Sequence, residues 1–308
     1  MIVTVTPNPS LDRTASIGAL TRGEVLRASS VRLEPGGKGV NVARALTAAG
    51  ADAVALLPVG GASGRLLLDL LGEVPAVPVP VAGHTRANTA LVEADGTTTK
   101  INEPGPELSA AEVDALVGQA ARLCADADWL VCCGSLPPGA PADLYARLAA
   151  GSGRARVAVD SSGAPLAHAG PVDLLAPNHA ELAELAGAGL PTLGAVLGFS
   201  RALLADGVGA VLVTLGAHGA LLVDPRGAHH AIAPPTTVRS TVGAGDAALA
   251  GFLRAGGGGP DALRAAVAYG TAAVAAEGSR MPGPTEVHPD AVRLVDVDEN
   301  LTLSGGAP

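Results

Sequence analysis

The chain has 308 residues, enough for one large α/β domain or two small ones. Apolar residues make up 48% of it but aromatics only 2%, so any core must be built from small aliphatic side chains. A net charge of −9 with no basic block argues against nucleic-acid binding as the main role, although a phosphorylated small molecule would need only a few local cations.

The first residues, Met1 to Pro7, lack the charged and apolar regions of a signal peptide. No stretch of about 18 consecutive apolar residues occurs, so no membrane span is expected. Three cysteines, an odd number in a long chain, point to reduced thiols and a cytoplasmic setting. Two of them, Cys132 and Cys133, are adjacent; in a strand they face opposite ways, as core residues do and a metal or redox pair does not.

In chain order, Ile2 to Val5 reads as a strand, closed by Thr6-Pro7-Asn8-Pro9 and followed by Asp12. An aspartate just past a strand end is well placed for a ligand and equally well placed as a turn or cap residue. Short alternating stretches, Val25 to Arg27 and Val31 to Leu33, read as strands of a small separate sheet. Gly36-Gly37-Lys38-Gly39 then feeds a helix from about Asn41 to Gly50, and its glycines allow close backbone approach to a ligand. The loop is not a phosphate-binding GxxxxGK[ST] loop, because Gly follows Lys38, and it is not a GxGxxG fingerprint.

A strand over 53–57 and a helix over 63–71 precede a proline-interrupted edge segment at 74–81. Asp95-Gly96 between two alternating runs predicts a hairpin. That hairpin and the earlier short strands, segments about 12–34 and 84–103, are expected to form a small antiparallel β lid. Helices are then predicted near 109–124 (with a Ser109/Glu112 capping box), 141–150, 192–204, 246–255 and 260–276, with another opening at Asn178. Strands fall at 129–132, 157–160, 173–176, 211–214 and 220–223. Strands alternating with helices predict a doubly wound, mostly parallel sheet, and the absence of repeats or a long linker predicts one domain over 1–308 plus its lid.

The most informative stretch is Ser240-Thr241-Val242-Gly243-Ala244-Gly245-Asp246, followed by an apolar run with helical spacing. A glycine loop entering a helix offers backbone N–H groups and a positive dipole end to an anion, best a phosphoryl group. A carboxylate beside such a site makes sense as the base for an attacking hydroxyl. Taken alone, the stretch reads equally well as a glycine turn capped by Asp246.

Six motifs in one order carry a wider resemblance. They are Gly36-Gly37-Lys38-Gly39-Val40-Asn41-Val42-Ala43, Gly134-Ser135-Leu136-Pro137-Pro138-Gly139, Asp160-Ser161-Ser162-Gly163, Pro177-Asn178-His179-Ala180-Glu181, Thr214-Leu215-Gly216-Ala217-His218-Gly219 and the Ser240–Asp246 stretch. Over essentially its whole length the chain resembles the PfkB (ribokinase-like) carbohydrate kinases. Thr85-Arg86-Ala87-Asn88 and Ile101-Asn102-Glu103-Pro104-Gly105-Pro106 are similar to the phosphosugar-kinase branch, and Lys38 is like that branch's fructose 1-phosphate kinases.

The resemblance implies a ribokinase-like fold and transfer of the γ-phosphoryl group of ATP to a sugar-phosphate hydroxyl. The implied product is fructose 1,6-bisphosphate, with 6-phosphofructokinase and tagatose-6-phosphate kinase activities as the alternatives and a non-catalytic sugar-phosphate sensor behind them. Asp246 is the implied base, and Gly243, Ala244 and Gly245 the implied holders of the transferring group. Asp12, Gly37, Asn41 and Ser135 would meet the sugar. Arg86 is the first choice for the substrate phosphate because an arginine fork fits phosphate best, ahead of Lys38, Arg27 and Lys100. Arg27 and Lys100 read equally as a solvated lid face.

Asn178 and Glu181 would act on Mg2+ and the ATP phosphates mainly through water; the same spacing also makes a helix capping box. Thr214, Gly216 and Gly219 would lie along the nucleotide. Ala176 departs from the branch, which usually has lysine there. A homodimer through the lid would fit an exposed sheet edge.

Overall fold

The computed structural model describes residues 1–276 and 278–303. Its first half contains β1 (Ile2–Val5), β2 (Ser10–Ser16), β3 (Ser30–Gly36), α1 (Lys38–Ala48), β4 (Ala53–Val59), α2 (Gly61–Leu71), β5 (Ala76–Pro80), β6 (Arg86–Val92), β7 (Thr98–Asn102) and α3 (Ala110–Cys124). The second half continues with β8 (Trp129–Cys133), α4 (Leu144–Ala150), β9 (Arg156–Asp160), α5 (Gly163–Ala167), β10 (Leu174–Leu175), α6 (His179–Ala186) and α7 (Leu193–Ala205). After these come β11 (Val211–Thr214), β12 (Ala220–Asp224), β13 (Gly227–Ile232), α8 (Ala244–Arg254), α9 (Gly259–Ala275) and β14 (Arg293–Val295).

Ten strands make the main sheet, in the order β14-β13-β12-β11-β10-β9-β8-β1-β4-β5. From β11 to β5 every pairing is parallel, and β12, β13 and β14 add an antiparallel end. Apolar runs such as Ile2–Val5 and Trp129–Cys133 are buried along their whole length, as parallel strands covered on both faces must be. Alternation sends Leu130 and Cys132 to the core under α3, α4, α6 and α7, and Val131 and Cys133 to the core under α1, α8 and α9. The adjacent cysteines therefore face opposite layers, both fully buried.

The chain leaves β1 toward β4 and β5 and returns to β8 on β1's other side. That reversal opens a crevice beyond the carboxyl ends of the strands, where α/β sheets bind ligands. The amino end of α1 packs directly on β1: a Cβ on Gly39 would lie 3.0 Å from the Val5 carbonyl, so only glycine permits this approach.

The smaller sheet has the order β3-β2-β6-β7. Its outer pairings are antiparallel, as expected, but β2 and β6 are parallel. The reason is topological: β2 and β6 each follow a main-sheet strand, β1 and β5, and both leave the sheet in the same direction. Asp95-Gly96 forms the predicted turn between β6 and β7, and the prolines of β5 do mark a sheet edge.

Val25 to Arg27 is not a strand. It lies in the connection from β2 to β3, whose pairing starts at Ser16 and Ser30, and Val25 is 83% exposed. The helix expected from Asp246 starts at Ala244. Strands β13 and β14 escaped the sequence reading; β13 carries His229 and His230 and lacks an apolar run, and β14 has three residues.

Candidate active site

Between the smaller sheet and the carboxyl ends of the main sheet lies a cleft of about 520 Å3. Asp246 closes its inner end. Gly243 caps α8 with φ 77°, a left-handed conformation natural to glycine, and places Asp246 in the helix's first turn. The helical ladder begins with Ala247 N–H donating to the Gly243 carbonyl, so the amides of Gly245 and Asp246 lie outside it. Asp246 therefore sits beside free backbone donors and the positive end of a helix and is not an N-cap residue.

The Asp246 carboxylate is buried, 6% exposed, and accepts a 2.8 Å hydrogen bond from Asn41 Nδ2. Burial, reinforced by the nearby charge of Asp160, pushes its pKa up to about 7; the Asn41 hydrogen bond and Lys38 pull the other way. A carboxyl with that pKa is matched to taking a proton near neutrality.

Lys38 reaches across the cleft floor. Its Nζ donates to Asp160 Oδ1 at 2.6 Å and to Glu181 Oε1 at 2.8 Å. Burial alone would push the Lys38 ammonium down, but the two carboxylates outweigh it and hold its pKa well above the ordinary value. Burial raises Asp160, against the pull of Lys38. Glu181 serves two partners: Oε1 accepts from Lys38, and Oε2 accepts from Asn178 N–H in a capping box. The local and the cleft-facing readings of this pair thus coexist.

On the opposite wall, Asp12 and Asn88 pair across β2 and β6 and share one face with Thr14 and Lys100. Asp12 Oδ1 accepts from Ser10 Oγ at 2.6 Å and from Asn88 Nδ2 at 3.1 Å, which fixes the carboxylate in the cleft.

Of the residues expected from sequence, Asp12, Gly37, Lys38, Asn41 and Lys100 line this cleft. Asn178, Glu181, Thr214, Gly243, Gly245 and Asp246 line the remainder, with Ala176 beside Asn178. Ala244 is the first helical residue between the two cleft glycines. Gly216 and Gly219 lie in the turn beyond Thr214, outside the lining.

Three others are elsewhere. Arg27 belongs to the connection before β3. Ser135 accepts from Asn8 Nδ2 at 3.4 Å outside the lining. Arg86 turns its guanidinium to the carbonyls of Asn8 and Glu103, each at 3.0 Å, so its fork is used on backbone. Asp160, Glu34 and Asn88 line the cleft without a role assigned from sequence. Asp160 and Asn88 carry a signal there, each within a motif of the resemblance, and Asp160 also as an aspartate closing a buried apolar strand.

A buried carboxylate with a raised pKa, a glycine loop with free amides and a polar wall are parts that phosphoryl transfer to an alcohol would require. Residues 7–286 match the model of the pfkB family carbohydrate kinases. The chain is 39% identical over 296 residues to a 1-phosphofructokinase of Rhodobacter capsulatus, covering 92% of this chain and 93% of that protein. It is 38% identical over 256 residues to an ATP-dependent 6-phosphofructokinase isozyme 2 of Mycobacterium tuberculosis, covering 81% and 76%. The crystal structure of phosphofructokinase-2 from Escherichia coli in complex with potassium superposes with a TM-score of 0.87 at 33% identity, covering 92% and 96%. With fold, cleft and sequence in agreement over nearly the whole length, this chain belongs to the pfkB family of carbohydrate kinases, phosphotransferases with an alcohol acceptor.

Proposed function

We propose that this protein transfers the γ-phosphoryl group of ATP to the C6 hydroxyl of fructose 1-phosphate, giving fructose 1,6-bisphosphate and ADP. The observation that carries the reading is the buried Asp246 carboxylate at the head of α8, beside the Gly243–Gly245 amides. Asp246 takes the hydroxyl proton as the sugar oxygen bonds to the γ-phosphorus and the bond to the β-phosphate oxygen breaks. The loop amides of Gly243 and Gly245 and the helix dipole hold the charge that builds on the transferring group, whereas the Ala244 amide expected beside them donates to the Thr241 carbonyl at 3.4 Å. Asp12 and Asn41 meet sugar hydroxyls.

Lys100 lines the cleft on the face of the smaller sheet that carries Asp12, and Arg13 is a second lining cation of that sheet, so the substrate phosphate is assigned to Lys100 ahead of Arg86. Lys38, held by Asp160 and Glu181, serves the nucleotide side with Asn178 and Thr214. Among the described residues no group of three or more His, Cys, Asp or Glu forms a metal cage. That fits Mg2+, which would be held by nucleotide phosphates and water with Glu181 and Asn178 behind them, and would supply charge neutralisation of the phosphates.

Fructose 1-phosphate is favoured by the Rhodobacter capsulatus relative and by the resemblance of the Gly36-Gly37-Lys38-Gly39 motif to fructose 1-phosphate kinases; a 6-phosphate substrate is favoured by the Mycobacterium tuberculosis relative. The test is ADP release with fructose 1-phosphate, fructose 6-phosphate and tagatose 6-phosphate, with and without EDTA. The expected result is the highest kcat/KM for fructose 1-phosphate and loss of turnover on chelation. Preference for a 6-phosphate would overturn the substrate, and no turnover would overturn the reaction.

The smaller sheet acts as the lid of a single kinase domain. Its reverse face carries Val31, Leu33 and Ile101, which are 50%, 39% and 59% exposed. Pairing of two lids through this apolar face makes a homodimer. Sedimentation velocity is expected to give a dimer that Ile101→Asp splits; a monomeric parent protein would refute it. Among the described residues no helix is long and apolar enough to cross a membrane, and the buried free thiols fit a cytoplasmic enzyme.

A further inference from the structure

We propose that Arg44 is a positioning residue that fixes the Asn41 side-chain amide in the orientation that donates to Asp246. Arg44 lies three residues beyond Asn41 on α1, on the same helix face. Its Nη1 donates to Asn41 Oδ1 at 3.3 Å and to the Ser279 carbonyl at 3.2 Å. The other end of the same amide, Nδ2, donates to Asp246 Oδ2 at 2.8 Å.

A primary amide has two ends of nearly equal shape and opposite hydrogen-bonding sense, and a guanidinium can only donate. With Arg44 in place the amide oxygen must face it, and the NH2 group must face the carboxylate. The reversed amide would set its oxygen against Asp246 and its NH2 against Arg44, two repulsive contacts in a buried place. Asn41 is 6% exposed, so water cannot readily take over either bond. The Ser279 carbonyl anchors the guanidinium from a segment, Gly278–Ser279, that also lines the cleft.

The other charged groups around this chain are accounted for. Asp246 faces Asp160 at the end of β9, Lys38 on α1 and Glu181 on α6, and stands near the Cys133 thiol of β8. Burial lowers the Arg44 pKa, and Glu34 of β3 and Asp12 of β2 raise it, so the guanidinium remains a cation. Arg44 bonds Asn41 and Ser279 and reaches the carboxylate through Asn41.

This inference rests on Asp246 as the base, and its test separates the two ideas. Arg44→Met, Asn41→Ala and the double variant are read by 13C NMR titration of the Asp246 carboxyl, assigned with Asp246→Asn, and by kcat and KM. Losing the Asn41 hydrogen bond removes a contact that favours the ionised carboxylate, so both single variants are expected to titrate at higher pH. Each should lower kcat about 10-fold or more at neutral pH, the scale of a lost hydrogen bond to a charged group, with KM little changed in Arg44→Met and the sugar KM raised in Asn41→Ala, which also loses a substrate contact. The double variant should be no worse than Asn41→Ala, and Arg44→Lys should recover part of the loss. Losses that multiply in the double variant, or an unchanged Asp246 titration in Arg44→Met with only a lower Tm, would overturn the proposal. Absence of turnover in the parent protein would sink the assigned reaction, while the NMR titration would still decide the role of Arg44.

Discussion

Asp246→Asn is expected to lower kcat by roughly 10²–10⁴-fold, the contribution of a positioned general base, while leaving the KM for ATP close to that of the parent protein. The substitution keeps the shape of the side chain and an oxygen to accept from Asn41 Nδ2, but an amide cannot take the proton of an attacking hydroxyl. In the parent protein kcat/KM should fall below about pH 7, in inverse proportion to the proton concentration, because burial has pushed the Asp246 carboxyl up to about 7 and only its ionised form is a base. The acid limb should disappear from the residual activity of the variant.

The same variant separates catalysis from stability. Asp246 binds its proton more tightly in the folded protein than in an unfolded chain. Between the ordinary aspartate range and about pH 7 the folded state therefore holds the extra proton, and the stability contributed by this residue falls as pH rises through that window. Removing the ionisable group removes the fall. Asp246→Asn should thus unfold at a temperature equal to or above that of the parent at pH 8. Full activity in the variant, or a clearly lower Tm at pH 8, would show that the carboxylate serves the structure and not the reaction.

Much of this site is legible in the sequence, for a physical reason. Glycine loops leave a mark in sequence because close backbone approach and left-handed conformations exclude other residues, as at Gly39 and Gly243. The buried parallel strands leave a mark because both faces demand apolar side chains, which is why β1, β8 and β11 could be placed closely. The direction of a side chain leaves none. Arg86 has the chemistry of a phosphate ligand, yet its fork is bound to two backbone carbonyls. Lys38 has the chemistry of a phosphate ligand too, and its carboxylate partners lie 122 and 143 residues away, a distance that no local pattern spans. The parallel pairing of β2 with β6 is likewise set by where each strand leaves the main sheet, and alternation within each strand is silent about it.

Lys38→Met should cost up to about 3–5 kcal/mol at pH 8, the range for breaking a buried ion pair by removing one partner, lowered here because the Lys38 side chain is 32% exposed to the cleft. The loss arises from what remains. Asp160 and Glu181 are 5% and 14% exposed, and without the ammonium they are left as two like charges near each other in the cleft floor. Burial already raises the pKa of Asp160 against the pull of Lys38, so removing Lys38 raises it further. The variant should then take up a proton on folding over a wider pH range, and its stability should fall more steeply than that of the parent as pH rises. Urea denaturation at pH 5 and pH 8 reads this directly: the deficit should be small at the lower pH and large at the higher. Lys38→Met/Asp160→Asn should recover most of it at pH 8, because one of the two stranded charges is gone. A deficit independent of pH and unrelieved by Asp160→Asn would mean that the methylene stem of Lys38, and not its charge, supports the fold. The expected outcome assigns Lys38 a second task besides any contact with phosphate, that of favouring the ionised form of the buried Asp160 carboxylate in the floor of the cleft.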